Sequence, residues 1–195
     1  MIDLTIKTVL SLVSKIVGDK WSSSRESKKA EKNLKSYIDI LSVDIDAVTI
    51  IAFELWETSF KHTDFKLYFK GNSQLRFPQD FYSERIKGYF DICKDSLDET
   101  LRVTINALLR HITNYCELKH ELILLSYDFD KDKSYNLYIE TLYIRRYIMA
   151  LSSDWGNVTL LTTDHTHKQL SGTLGLPVDI NELRAKVIDN LQSRT

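Results

Sequence analysis

Leu34, Ile38, Leu41, Ile45, Val48, Ala52 and Leu55 recur at alternating spacings of 4 and 3, which places them on one stripe of an amphipathic helix. Inside that stripe Ser42-Val-Asp-Ile-Asp-Ala-Val48 also alternates apolar with polar positions. Val43 to Asp46 therefore reads either as a break or as a short strand. Two more helical stripes follow. Leu97, Leu101, Ile105, Leu108, Ile112 and Tyr115 form one, and Leu137, Thr141, Ile144, Ile148 and Leu151 form the other. Both lie within Tyr89 to Trp155, a run of 67 residues without Gly or Pro, where average usage predicts about eight. Between them Leu122-Ile-Leu-Leu-Ser-Tyr127 suits a helix end or a buried strand.

The flanks are more varied. Ile2 to Val17 carries apolar residues at 2, 6, 9, 13 and 16, with Lys7 and Lys15 on the other side, an amphipathic helix that Gly18 is expected to end. Ser22-Ser23-Ser24 then predicts a loop, and Arg25 to Lys35 a solvated helix. Phe65 to Phe69, Gly71-Asn72 and Leu75 to Phe77 predict a hairpin, after which Pro78-Gln79-Asp80 starts another helix. Near the C-terminal end Val158 to Thr163 is a short run rich in β-branched residues that ends at Asp164. A helix-length polar segment follows, and Gly175-Leu176-Pro177-Val178 turns into a second extended run. The fold class these elements predict is helix-rich α/β: a small parallel sheet flanked by helices in residues 25–195, preceded over 1–24 by an amphipathic helix and linker.

Composition is that of a globular chain, and the formal net charge of −1 gives no global pull toward nucleic acid or membrane. Charge is nevertheless arranged in blocks. Residues 1–35 hold eight Lys/Arg against four Asp/Glu, whereas 36–60 hold five Asp/Glu and no Lys or Arg. Residues 61–90 return to six basic against three acidic, residues 60–90 hold six of the eight Phe interleaved with those basic side chains, and 91–140 carry ten acidic against six basic. Solvated helix faces account for such blocks. A basic aromatic surface beside an acidic site is the sharper reading, because bases stack on rings while cations hold a nucleic-acid backbone. Cys93 and Cys116 form no C-x-x-C pair, which with no secretion signal predicts reduced thiols and a cytoplasmic protein, and no segment is apolar for long enough to span a membrane.

Several chemistries are excluded or weakened by their own motifs. There is no G-x-S-x-G, no G-x-x-x-x-G-K-[ST] and no G-x-G-x-x-G. Asp128, Asp130 and Asp132 have the spacing that opens a calcium loop, but Lys133 stands where the turn needs Gly and Ile139 where it needs Glu. His165 and His167 beside Asp164 have metal-ligand spacing without further ligands just downstream, and His111, Cys116 and His120 do not share one helical stripe. Carboxylate chemistry remains, and a strand ending in Asp164 would put that residue at the carboxyl edge of a parallel sheet, where ligands bind.

The segment V-T-L-L-T-T-D followed by G-L-P-V, with a helix before it over Tyr135 to Leu151, resembles the C-terminal third of PIN-domain nucleases. The match covers about 45 residues. The resemblance implies a parallel sheet flanked by helices, and cleavage of RNA dependent on Mg²⁺ or Mn²⁺ held by three or four acidic side chains. Asp164 would be one of them, with Thr162 as a supporting hydroxyl. Asp44 or Asp46 (or Asp3) would stand after the first strand, and Glu140 near the helix before T-T-D, so that Asp164, Glu140 and Asp46 are the catalytic candidates and Asp164, Asp44, Asp46 and Glu140 the metal candidates. The family's Asp-Thr-Asn setting is absent, and Tyr143 and Ile144 occupy the places where its helix carries Asp. Glu84 and Glu99 are the other acids that could complete such a site. An ion of this kind takes hard oxygen ligands, orients a water and neutralises charge on the phosphate, so carboxylates must converge from several elements.

Three functional readings follow. The first is a PIN-like ribonuclease, or a relative that keeps the scaffold without catalysis. The second is a non-enzymatic helical interaction or adaptor subunit, with a protein partner or a second copy of itself. The third is a helical bundle that acts on a membrane surface through residues 2–17.

Overall fold

The computed structural model of the chain describes residues 2–61, 81, 83–124, 131–159, 171–177, 179, 181, 182 and 185, with side chains in the first helix from Ser23 to Ser59. Among these described residues lie four α-helices: α1 (Ile2–Lys61), α2 (Ser83–Cys93), α3 (Glu99–Leu124) and α4 (Lys131–Ser153), with a 3₁₀ turn at Lys94–Ser96 between α2 and α3. Among the described residues there is no strand. The α/β class and its small parallel sheet are therefore corrected to an all-helical bundle. Each apolar stripe finds its partner on another helix, so no sheet is needed to bury it.

The three predicted stripes are where the core lies. Leu34, Ile38, Leu41, Ile45, Val48 and Leu55 of α1 meet Leu101, Ile105, Leu108 and Ile112 of α3 and Leu137, Ile144, Ile148 and Leu151 of α4 in one buried cluster, which Phe81 and Ile86, Phe90 and Cys93 of α2 complete. At roughly 1.5–3 kcal/mol per fully buried aliphatic side chain, this packing is the main favourable term in the fold. A second cluster, Ala52, Phe53, Trp56, Tyr138 and Leu142, caps the end of the α1–α4 interface.

Cross-contacts give the topology. Trp155 just beyond α4 donates to Glu31 of α1, Arg145 pairs with Asp46, and Ser134 meets Ser59, so α4 runs antiparallel to α1. His111 with Glu140 and Glu121 with Lys133 make α3 antiparallel to α4 in turn. The turn after α2 is pinned to α1 by a 2.7 Å bond between the Ser27 and Ser96 hydroxyls. The result is an up-down-up-down bundle.

Local chemistry sets the helix ends. Asp98 caps α3, its Oδ1 accepting from the Leu101 amide at 2.8 Å. Asp154 ends α4, its side chain accepting from the amides of Gly156 and Asn157. The turn at Ser171–Gly175 closes on Gly175 at φ 66, where the Leu176 amide reaches the Ser171 carbonyl at 2.9 Å. A left-handed closing residue of this kind favours glycine.

Three local expectations change. Val43 to Asp46 is neither break nor strand but helix. Gly18 and Ser22-Ser23-Ser24, expected to end a helix and form a loop, lie inside α1, which is continuous over 60 residues or ~90 Å. Leu122 to Leu124 belongs to α3. The hairpin at 65–77, the Pro78-Gln79-Asp80 start and most of the Val158 to Thr163 run lie outside the described residues; Val158 and Thr159, which are described, are not in a strand.

Candidate functional site

The carboxylates singled out by sequence do not converge. Asp164, with Thr162, His165 and His167, lies outside the described residues. Asp46 projects from α1 toward α4, where the Arg145 Nε donates to its Oδ1 at 2.6 Å. The guanidinium is 4% exposed and also donates to the Thr173 hydroxyl at 3.1 Å. Asp46 thus sits against a buried cation that ties α1, α4 and the 171–177 turn together. Asp44 is two residues back on α1 and half-buried.

Glu140 is engaged elsewhere. Its Oε2 lies 2.7 Å from the His111 Nδ1, and its Oε1 accepts from the Asn114 side-chain Nδ2 at 3.3 Å. The imidazole stacks on Tyr143, with ring centroids 4.5 Å apart and planes at 16°, and lies against Tyr147 at 5.5 Å. A carboxylate so held orients one histidine tautomer and fixes the α3–α4 register. Among the described residues no group of three or more His, Cys, Asp or Glu is placed to hold a metal ion. Glu84 and Glu99 are both exposed, on α2 and at the start of α3.

His120 and Cys116, by contrast, share a cleft of about 480 Å³ between α2 and α3, lined also by Phe81, Glu84, Arg85 and Lys119. Cys93 faces the core instead and is fully buried. Burial, and secondarily the charge of Glu31, push its thiol above the ordinary cysteine value. A raised pKa means less thiolate at a given pH, and thiolate is the reactive form. Iodoacetamide at pH 8 is accordingly expected to label Cys116 in the native protein while sparing Cys93 until it unfolds. Peptide mass spectrometry reads this directly, and equal labelling rates would refute it.

What sequence reading did not single out is the outward face of α1. Ile40 and Val43 are 58% and 78% exposed, Ala47 is exposed, and Ile50 is 37% exposed. Their spacing of 3, 4 and 3 is that of a coiled-coil seam. They stand two residues from the buried stripe, about 200° around the helix, hence on the opposite face. Asp39 and Glu54, both exposed, flank this seam. The period-two alternation of Ser42 to Val48 was its signal: Val43 and Ala47 point out while Ile45 points in.

Comparison of the chain with protein-family models, with curated proteins and with solved structures returned no match. Among the described residues no helix is long and apolar enough to cross a membrane.

Proposed function

We propose that this chain is a non-enzymatic helical interaction subunit that docks through the outward seam of α1. The observation that carries the reading is the solvent-facing row Ile40, Val43, Ala47 and Ile50 on a helix whose other face is already committed to the bundle core. Isolated exposed apolar residues are ordinary, but four at coiled-coil spacing on a rigid helix form a ready seat for another helix. Against metal-dependent cleavage stands the engagement of Asp46 by Arg145 and of Glu140 by His111 and Asn114.

A photo-crosslinking side chain at position 43 of the full-length protein tests the reading. The expected result is a discrete, saturable adduct that is lost on Ile40→Asp and is not formed from the same probe at the exposed position 99. No adduct, or one insensitive to Ile40→Asp, would remove the seam as a docking surface.

A further inference from the structure

We infer that the occupant of the α1 seam is the N-terminal segment of a second copy of this chain, residues 2–17, joining copies head to tail. The inference rests on the docking reading above and names its partner. Three observations support it. In the sequence Ile6, Val9, Val13 and Ile16 repeat the 3, 4, 3 spacing of Ile40, Val43, Ala47 and Ile50, so one row can interleave with the other position for position.

Charge complements the match. Residues 36–60, which carry the seam, hold five acidic side chains and no basic one, whereas the docking segment 2–17 holds Lys7 and Lys15 against Asp3 alone. Two acidic seams facing each other would repel, while a segment of net positive charge on an acidic seam attracts, which favours this pairing over seam on seam.

Helix continuity makes the contact intermolecular. Residues 2–17 and 40–50 belong to one unbroken helix, so within a single chain they cannot meet. Their centres are separated along α1 by a rotation of about 160° for a straight helix. The two rows then occupy opposite sides of α1, and two copies cannot satisfy both rows at once in a closed symmetric pair. The contact is heterologous and propagates from copy to copy.

Sedimentation of full-length variants tests this. Wild-type protein is expected to show an average mass that climbs past the dimer with concentration and falls when salt is raised. Val43→Asp, which removes the seam, and Val13→Asp, which removes the docking segment, should each weaken association by at least ~30-fold, the effect of a central interface residue. Mixed together, they should form a discrete one-to-one pair, since each supplies the element the other lacks. Val43→Ser and Val13→Ser serve if circular dichroism shows that either aspartate variant has lost helix. A monomeric wild type, a Val13→Asp protein that associates as well as wild type, or a mixture that stays monomeric would overturn the inference. The position-43 crosslink separates its failure from that of the broader reading. An adduct mapped to residues 2–17 of a second copy supports the inference, an adduct to any other segment or protein overturns it alone, and no adduct overturns both.

Discussion

Replacing Trp56 with alanine is expected to lower folding stability by about 3–5 kcal/mol, the range for deleting a large aromatic from a well-packed core. Trp56 is fully buried at the C-terminal end of the α1–α4 interface. Its ring stacks on Tyr138 with centroids 5.5 Å apart and planes at 17°, tilts against Tyr135 at 4.9 Å, and meets Phe53 edge-on at 5.9 Å. Removing it would leave three rings facing a void that the rigid helix backbones cannot collapse to fill. The damage would spread, because Tyr138 also donates from its hydroxyl to the Pro177 carbonyl at 3.1 Å and Leu176 packs on the same cluster, so the 171–177 turn loses its seat. Burial already holds the Tyr138 phenol in its neutral form by raising its pKa, with the charge of Tyr135 a lesser cause. For a domain whose total stability is of order 5–15 kcal/mol, such a loss is a large fraction. Urea unfolding followed by circular dichroism checks it, and Trp56→Phe should cost less than half as much. A loss below about 1 kcal/mol for the alanine variant would mean that this cluster does not anchor the bundle.

The parts of this fold that were legible in the sequence are those written in a single helix. The rows Leu34 to Leu55, Leu97 to Tyr115 and Leu137 to Leu151 are all buried, because a 3–4 spacing of apolar residues specifies a face whatever the partner. Alternation misled where one helix carries two apolar faces. Val43, Ile45 and Ala47 differ by two positions, which is the period of a strand and also the step from one side of a helix to the other. Gly18 misled for a different reason: a single interior glycine costs only about 1 kcal/mol, which a long helix absorbs. The polar pairs were not legible at all. His111 and Glu140 are 29 residues apart, and Asp46 and Arg145 are 99 apart. Their meeting depends on the register between helices, which no stripe encodes alone. The PIN resemblance rests on Val158 to Asp164, Gly175 to Val178 and the helix before them, and its decisive residue, Asp164, lies outside the described residues.

Asp46→Ala is expected to be the most destabilising of the single substitutions at the polar residues proposed for chemistry, at about 2–3 kcal/mol, because it strips the carboxylate from a buried guanidinium. The lower part of the usual range applies: Asp46 itself is 48% exposed, so water screens part of the pair. A buried ion pair need not stabilise a fold relative to apolar residues of similar size, and this asymmetry supplies the control. Adding Arg145→Met to Asp46→Ala removes the buried guanidinium that has lost its Asp46 carboxylate while keeping much of the side-chain volume, so the double variant should be more stable than Asp46→Ala alone. A metal-ligand role for Asp46 predicts the opposite behaviour. Clustered carboxylates repel one another without their ion, so removing one would stabilise the metal-free chain, and Mg²⁺ or Mn²⁺ would raise the melting temperature of wild type but not of the variant. Thermal and urea unfolding of wild type, Asp46→Ala and the double variant, with and without about 1 mM Mn²⁺ (on the order of a thousandfold above a micromolar site), separate these cases. The Arg145 pairing requires destabilisation by Asp46→Ala, partial rescue by Arg145→Met and no response to the ion; a stabilised variant or a metal-dependent shift in wild type would reassign Asp46 to chemistry.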